Sequence, residues 1–192
     1  MDNVTNISLV GVGGQGILLT SEILARAAMF SGFDVKKSEV HGMSQRGGSV
    51  TSQVRFGKKV YSPIISEGES HILVAFEKLE AIRNFKMLRH GGTVLVDNRS
   101  IIPITVSGGL QAGLGEQEEE LLKQVYGNAV KFVDSTRIAT QLGNMRVANM
   151  VIAGVLSKLL PFDVEMWYKA MKSRIPEKIV DINIRAFDCG RA

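Results

Sequence analysis

The chain's opening reads Ile7-Ser8-Leu9-Val10-Gly11-Val12-Gly13-Gly14-Gln15-Gly16-Ile17-Leu18-Leu19-Thr20 and continues through Phe30 to Ser31-Gly32 and Asp34–Val40. Ile7–Val10 is a short apolar run that meets a glycine cluster before a long stretch of good helix formers, Ile17–Phe30. Strand, glycine turn and helix are expected in that order. Ser31-Gly32 closes the helix, because glycine supplies the left-handed backbone at a helix C-terminus, and Asp34–Val40 is expected to form a second strand. The stretch predicts a βαβ opening, and with it an α/β protein with a mostly parallel sheet.

Further along, His41-Gly42-Met43-Ser44-Gln45-Arg46-Gly47-Gly48 is too rich in glycine and polar groups for a regular element and reads as a loop. From Ser49 to Phe56, Val50, Ser52, Val54 and Phe56 alternate with Thr51, Gln53 and Arg55. Gly57-Lys58-Lys59 then reads as a turn into Val60–Ile65, an antiparallel hairpin inserted in the βαβ chain. A strand at Ile72–Ala75, a helix over Lys78–Leu88, a stop at Gly91-Gly92 and a strand at Thr93–Val96 restore the parallel pattern. Ile104–Val106 reads as another short strand. Gly113–Gly115 precedes a helix whose early carboxylates, Glu116, Glu118, Glu119 and Glu120, oppose the positive end of its dipole and are expected to face solvent. Lys131–Val133 reads as the last strand. Ile138–Leu160 reads as the longest helix, stopped by Pro161, and an amphipathic segment follows Pro176. With no linker composition and no internal repeat, residues 1–192 are expected to be one domain, a three-layer α/β/α sandwich with a Rossmann-like, mostly parallel sheet and an inserted antiparallel hairpin.

Composition narrows the function. At 45% apolar and 22% charged residues, the 192-residue chain has the balance of a soluble globular protein. It holds no apolar run of about 18 residues, and Met1–Ser8 lacks the basic start and apolar run of a secretory signal, so a cytoplasmic protein is expected. The one cysteine, Cys189, cannot close an internal disulfide or by itself ligate an iron–sulfur cluster. The net charge of +4 is interleaved with acidic residues, which argues against a nucleic-acid partner, and nothing points to a membrane.

On such a sheet ligands collect at the carboxyl ends of strands, so segments 11–16 and 41–48 are expected side by side. Gly11, Gly13 and Gly16 have the G-x-G-x-x-G spacing between a strand and a helix, where backbone N–H groups can face a phosphate. A dinucleotide site also wants an acid about 20 positions on for a ribose hydroxyl, and Asp34 and Glu39 bracket that position. The plain alternative is a tight turn with no ligand. Arg46 before Gly47-Gly48 sets a fork-shaped cation beside a closely approachable backbone, the alternative being a structural arginine paired with Glu39 or with carbonyls. His41 lacks the partners of a general base and reads as a hydrogen-bonded loop residue, and His71 and His90 read as surface or capping residues. Asn144 and Asn149 lie about 140° apart on a straight helix and cannot both face one ligand closely, so one is expected at a cap or an interface. Methionines such as Met43, Met145 and Met150 read as adaptable core. The sequence shows no paired carboxylates in an acid–base setting, no metal-ligand spacing and no nucleophile beside a base.

The combination of Gly11-Val12-Gly13-Gly14-Gln15-Gly16 with Ser38-Glu39-Val40-His41-Gly42-Met43-Ser44-Gln45-Arg46-Gly47-Gly48-Ser49-Val50 and Val54-Arg55 resembles the gamma-type subunits of 2-oxoacid:ferredoxin oxidoreductases. The Glu39-Val40-His41-Gly42-Met43 lead-in is similar to that of the small subunits acting on indolepyruvate. The first motif is generic and the second specific, and the resemblance runs over roughly residues 7–190. It implies a fold like domain III of pyruvate:ferredoxin oxidoreductase. It also implies a complex that decarboxylates a 2-oxoacid, of the aryl pyruvate class, to an acyl-coenzyme A while reducing ferredoxin. Thiamine diphosphate, magnesium and 4Fe–4S clusters are then expected in a larger partner subunit, and coenzyme A at the subunit edge. Carried over by motif position, Gly11, Gly13, Gly14, Gln15, Gly16, Ser44, Arg46, Gly47 and Gly48 are cofactor-binding candidates, with Arg55, Lys58 and Lys59 as electrostatic helpers and no catalytic residue. The isolated chain is expected to be inactive and to pair with itself. Two readings stay open beside it. A free-standing NAD(P)-dependent dehydrogenase leaves Arg46-Gly47-Gly48 unexplained, and an ATP-dependent adenylating enzyme would add a catalytic cysteine and zinc-binding cysteine pairs.

Overall fold

The computed structural model describes residues 4–41, 48–100 and 117–192. Their six-stranded sheet has the order β2-β3-β1-β4-β5-β6. The strands are β1 (Thr5–Val12), β2 (Asp34–His41), β3 (Ser49–Gly57), β4 (Ser70–Ala75), β5 (Leu88–Asp97) and β6 (Val130–Val133). β1, β4, β5 and β6 are parallel. β3 runs antiparallel to both neighbours, so β2 points the same way as β1 with one strand between them. The βαβ opening is present, with α1 (Ile17–Phe30) as its crossover, but it is spread apart to admit β3.

Alternate strand residues feed two cores, as a period of two requires. Ile7, Leu9, Val54, Phe56, Ile72 and Val74 pack under a layer made by α1, α5 (Ala148–Ser157), α6 (Val164–Arg174) and α7 (Glu177–Arg191). Phe33, Phe56, Phe162, Trp167 and Phe187 form a chain of rings there, with successive centroids 5.4, 4.9, 6.1 and 5.5 Å apart along Phe33–Phe56–Phe162–Trp167–Phe187. Each such pair adds about 0.5–1.5 kcal/mol beyond area burial. On the other face Val10, Leu73, Ala75, Val94 and Val96 meet Ala81 of α2 (Lys78–Arg83) and Leu122 and Tyr126 of α3 (Gln117–Tyr126). α4 (Ser135–Gln141) leads into the first layer. The result is the α/β/α sandwich read from the sequence. Among the described residues no helix is long and apolar enough to cross a membrane.

Four local expectations are corrected. Segment 60–65 is irregular, and β3 pairs instead with β2 and β1. Side chains of β3 hold that segment by its backbone: Gln53 Oε1 accepts from Ile65 N (2.9 Å), and Arg55 Nη1 donates to the Ser62 and Ile64 carbonyls (3.0 and 2.8 Å). The helix from Lys78 ends at Arg83, a 3₁₀ turn covers Phe85–Met87, and Gly91-Gly92 lies inside β5. Ile138–Leu160 is two helices: Gly143 at φ +77° ends α4, and Asn144 Oδ1 accepts from Arg146 N (3.0 Å) to open the next turn. The apolar faces of those helices and of the C-terminal segment are largely buried against one another, leaving Met145 and Ile179 exposed. Val40, Tyr61 and Ile64 are the exposed apolar residues at the β2 side of the sheet. The strand at 104–106, Gly113–Gly115 and Glu116 lie outside the described residues.

α5 and α7 cross at two glycines. A Cβ on Gly154 would lie 2.0 Å from the Phe187 carbonyl oxygen, and one on Gly190 2.1 Å from that of Val151. Backbone cannot yield as a side chain tip does, so Gly154→Ala is expected to cost about 2–3 kcal/mol in urea unfolding, the range of an overpacked core.

At the amino end of the sheet, the Asn6 N–H donates to His71 Nδ1 (3.1 Å), while Asn6 Nδ2 donates to the Glu69 carbonyl (3.0 Å) and Oδ1 accepts from Arg55 Nε (3.0 Å). Burial, and then the nearby Arg89 cation, hold the His71 pKa below its ordinary 6.5. A pKa lowered on folding gives stability that is present above the unfolded value and lost as pH falls through the folded one. Unfolding free energy should therefore decline as pH falls below 6.5, and that decline should be shallower in His71→Gln.

Candidate functional site at the carboxyl edge of the sheet

β1 ends in the glycine turn, and each glycine there has its own reason. A Cβ on Gly11 would meet Gln15 Oε1 at 2.5 Å and Phe76 Cβ at 2.8 Å, so that position is closed by internal packing. Gly14 sits at φ +98° with nothing within 4 Å of a Cβ, exposed on the turn's outer side. Gly16 is the N-cap of α1 at φ +83°, and a Cβ there would lie 2.5 Å from Asn149 Nδ2. Gln15 turns inward: Oε1 accepts from Val12 N (2.7 Å) and Nε2 donates to the Phe76 carbonyl (3.2 Å). Its amide braces the turn against β4.

The two glycine segments meet where expected. Gly13 N donates to the Gly48 carbonyl at 2.9 Å. Ser44, Arg46 and Gly47 lie outside the described residues, as does the side chain of His41. Arg55 is engaged with Asn6 and the 62–64 carbonyls at the opposite end of the sheet, and Lys59 pairs with Asp34 there. Neither reaches the turn.

α1 starts with neither a side-chain cap nor a first-turn carboxylate. Among the described residues no side chain caps its first N–H groups, and such a positive dipole end, here beside Gly14, is chemically suited to an anion. Asn149, 4% exposed, adds a polar group behind it: Nδ2 faces the Gly16 carbonyl at 3.5 Å, while Oδ1 has no partner among the described residues. Asn144 is the capping member of the pair and Asn149 the one at the turn.

Sequence reasoning missed a set of buried acids on the same edge. Glu77, Glu80 and Glu118 are 1%, 0% and 7% exposed, so carboxylates are paired here and Glu118 does not belong to the solvated face assigned to it. Glu77 caps α2, accepting from Leu79 N and Glu80 N, and burial pushes its pKa up. Glu80 accepts from Ser49 and Arg83, and Glu118 from Ser100. Asp97 accepts from Ser135 N (3.1 Å), its pKa also raised by burial. Each therefore works as a fixed acceptor for the fold. The signal that could have found them is an acid placed directly after a fully apolar strand, as at Glu77 and Asp97. Among the described residues no group of three metal-ligating side chains comes together.

The dinucleotide reading fails on geometry. Strands are spaced about 4.8 Å apart, so β2, with β3 interposed, is nearly 10 Å from β1. Asp34 starts β2 at the far end of the sheet, bound to Lys36 and Val60 N, and Glu39 pairs with Lys37. An adenylating enzyme's catalytic cysteine is likewise missing from the turn, because exposed Cys189 lies near the end of α7.

A mixed α/β sheet with a glycine turn leading into an uncapped helix start at its carboxyl edge defines the class. A family model described as pyruvate ferredoxin/flavodoxin oxidoreductase matches residues 6–192, and the chain belongs to that family. It is 37% identical over 188 residues to indolepyruvate oxidoreductase subunit IorB of Thermococcus kodakarensis, covering 96% of this chain and 93% of that subunit. The gamma subunit of a keto/oxoacid ferredoxin oxidoreductase from Geobacter sulfurreducens superposes with a TM-score of 0.70 at 26% identity, over 97% of this chain and 95% of that one. A 2-oxoglutarate:ferredoxin oxidoreductase from Magnetococcus marinus, solved with 2-oxoglutarate, coenzyme A and succinyl-CoA, shares the fold (TM-score 0.76, 20% identity) over 100% of this chain and 31% of that one.

The two left-handed glycines should answer differently to alanine. Gly14→Ala carries only the backbone penalty, about 1–2 kcal/mol. Gly16→Ala must also displace Asn149, and about 2–4 kcal/mol is expected. Equal losses in urea unfolding would contradict this account of the turn.

Proposed function

We propose that this chain is the small, gamma-type subunit of a cytoplasmic 2-oxoacid:ferredoxin oxidoreductase acting on aryl pyruvates, indolepyruvate among them. The complex converts a 2-oxoacid, coenzyme A and two oxidised ferredoxins into an acyl-coenzyme A, carbon dioxide, two reduced ferredoxins and a proton. The one observation that carries the reading is near full-length kinship with a small subunit of indolepyruvate oxidoreductase. Thiamine diphosphate, magnesium and 4Fe–4S clusters then belong to the larger partner subunit. A single cysteine cannot ligate a cluster alone, and the chain has no Gly-Asp-Gly motif for thiamine diphosphate and magnesium.

Coenzyme A, when bound, supplies the thiol that accepts the acyl group. This chain's part is to hold the other end of that molecule. Gly13, Gly14 and Gly16 shape a turn that lets a phosphate approach the open start of α1, where N–H donors are already aimed and lose no rotamer entropy on binding. Gln15 and Gly11 serve by keeping the turn rigid. Gly48 ties the start of β3 to the turn, and Ser44, Arg46 and Gly47 are assigned to the same site by their place in the sequence motif. Arg46, planar and forked, then pairs with a phosphate or with a carboxylate of the large subunit.

The isolated chain should show no 2-oxoacid-dependent dye reduction, and mixing with the large subunit should restore it. Arg46→Lys is expected to leave the subunit's melting temperature unchanged and to raise the apparent KM for coenzyme A in the reassembled complex about tenfold, the loss of one charge-assisted contact. A lowered melting temperature with an unchanged KM would make Arg46 a structural brace and remove the loop from the site.

A further inference from the structure

A cavity of about 210 Å³ opens where the start of α1, the turn leading into α5 and the junction of α6 with α7 come together. Leu19, Val147, Ile175 and Ile179 give it apolar walls, and its charged lining residues are Arg146 and Arg174. Apolar exposure continues past the rim. Met145, set between two lining residues, is 54% exposed and Ile179 47%, and neither belongs to either core. A small ligand inside the cavity would leave Met145 in water. Large apolar side chains around the mouth of an apolar cavity suit a surface that another chain covers.

The charge lining that surface has one sign. Arg146 is exposed and has no ion-pair partner among the described residues. Arg174 donates from Nε to Glu22, whose other oxygen is held by Arg26, so one carboxylate is shared by two guanidiniums and a positive charge is left over. α5 adds the positive end of its dipole, since it begins with neither a side-chain cap nor a first-turn acid. Glu177 and Asp181 are exposed on α7, and neither lines the cavity. The two lining asparagines are turned to backbone: Asn144 Oδ1 accepts from Arg146 N, and Asn183 Nδ2 donates to the Ile179 carbonyl. Carboxylates complement such a lining, and an arginine fork binds them with two parallel bonds. A second copy of this chain does not supply them in an isologous dimer, where the same patch would face itself, cation against cation.

We infer that this groove seats a segment of the larger subunit in which an apolar side chain is flanked by Asp or Glu. The apolar side chain fills the cavity against Leu19, Val147 and Ile179, the carboxylate meets Arg146, and the rest of the segment covers Met145. The inference rests on the subunit reading given above and adds which face of this chain meets the partner.

Association with the purified large subunit, without coenzyme A, is measured by calorimetry and sedimentation for the parent chain, Arg146→Glu, Met145→Gln and Lys86→Glu. The last makes the same charge change at an exposed residue just before β5, at the opposite edge of the sheet. All three positions lie outside both cores, so the unfolding curves should match the parent's. Arg146→Glu should weaken association about tenfold, or about 1.4 kcal/mol, Met145→Gln about fivefold, and Lys86→Glu less than about twofold. A photoreactive side chain placed at position 145 should attach to a large-subunit peptide with an apolar residue beside Asp or Glu. An affinity unchanged by Arg146→Glu, or an equal loss in Lys86→Glu, would overturn the inference while leaving the subunit reading intact. Capture of a second copy of this chain, or of a partner peptide without a carboxylate, would do the same. A parent chain that does not associate at all overturns the subunit reading itself, and this inference with it.

Discussion

The hydrogen bond from Gly13 N to the Gly48 carbonyl extends the β1–β3 ladder by one step. Gly11 faces Val50 and Val12 faces Ser49, so Gly13 and Gly48 are the next pair in the same antiparallel register. That step makes the glycine turn and the second loop parts of one edge. It exists only because β3 enters between two strands that a dinucleotide fold would place side by side. Pairing β1 directly with β2 would bring a ribose-binding acid near the turn. With β3 interposed, Gly48 and the acids that follow β4 and β5 stand on the turn's edge. The same glycine spacing therefore sits in a different strand order.

Those acids give the edge its stiffness. Burying a carboxylate is unfavourable unless donors surround it, and here the donors sit at the points where chain leaves the sheet. Ser49, which begins β3, donates to Glu80; Ser100, which follows β5, donates to Glu118; and Lys78 N donates to the Arg99 carbonyl (3.0 Å). Losing either serine bond leaves a buried carboxylate one donor short, which disfavours local opening where the chain leaves β3 and β5. The opposite edge is held by a network around Asn6, His71, Arg55 and the Ser8–Ser70 hydroxyl pair at 2.6 Å, with no buried carboxylate in it.

Where local pattern and tertiary structure agree, the sequence was enough: α1 begins and ends at the residues its helix formers and Ser31-Gly32 indicate, and the alternation in 49–56 is a strand. Where it misled, a partner distant in sequence decided the outcome. Val60–Ile65 has strand-like residues, but Gln53 and Arg55 capture its backbone groups before a ladder can form. The apolar spacing of 138–160 spans two helices because both pack on the same core, and Gly143-Asn144 carried the break in plain sight. At the site, the three turn glycines were readable as a motif, but their distinct causes were not. Gly11 answers to Phe76, and Gly16 to Asn149, 133 residues away. The role of Gln15 as a brace follows from the Phe76 carbonyl, which no spacing rule includes.

A fold that makes up nearly a whole subunit in Thermococcus and about a third of a longer chain in Magnetococcus has to close its own core in either setting. The cores on the two faces of this sheet are filled by apolar side chains of the chain itself, and the aromatic chain from Phe33 to Phe187 ties three helix-layer segments to β3. What is left for contact with other subunits is the periphery. β2 is an edge strand carrying Lys36 and Lys37, residues that discourage strand-to-strand addition. Val40, Tyr61 and Ile64 are exposed beside it, on a part of the sheet that α2 and α3 do not reach. An interface there would be made by side chains packing on a finished sheet, without extending its ladder. The Gly13–Gly48 edge could then keep one geometry whether the neighbouring domains are joined by a peptide bond or by contact.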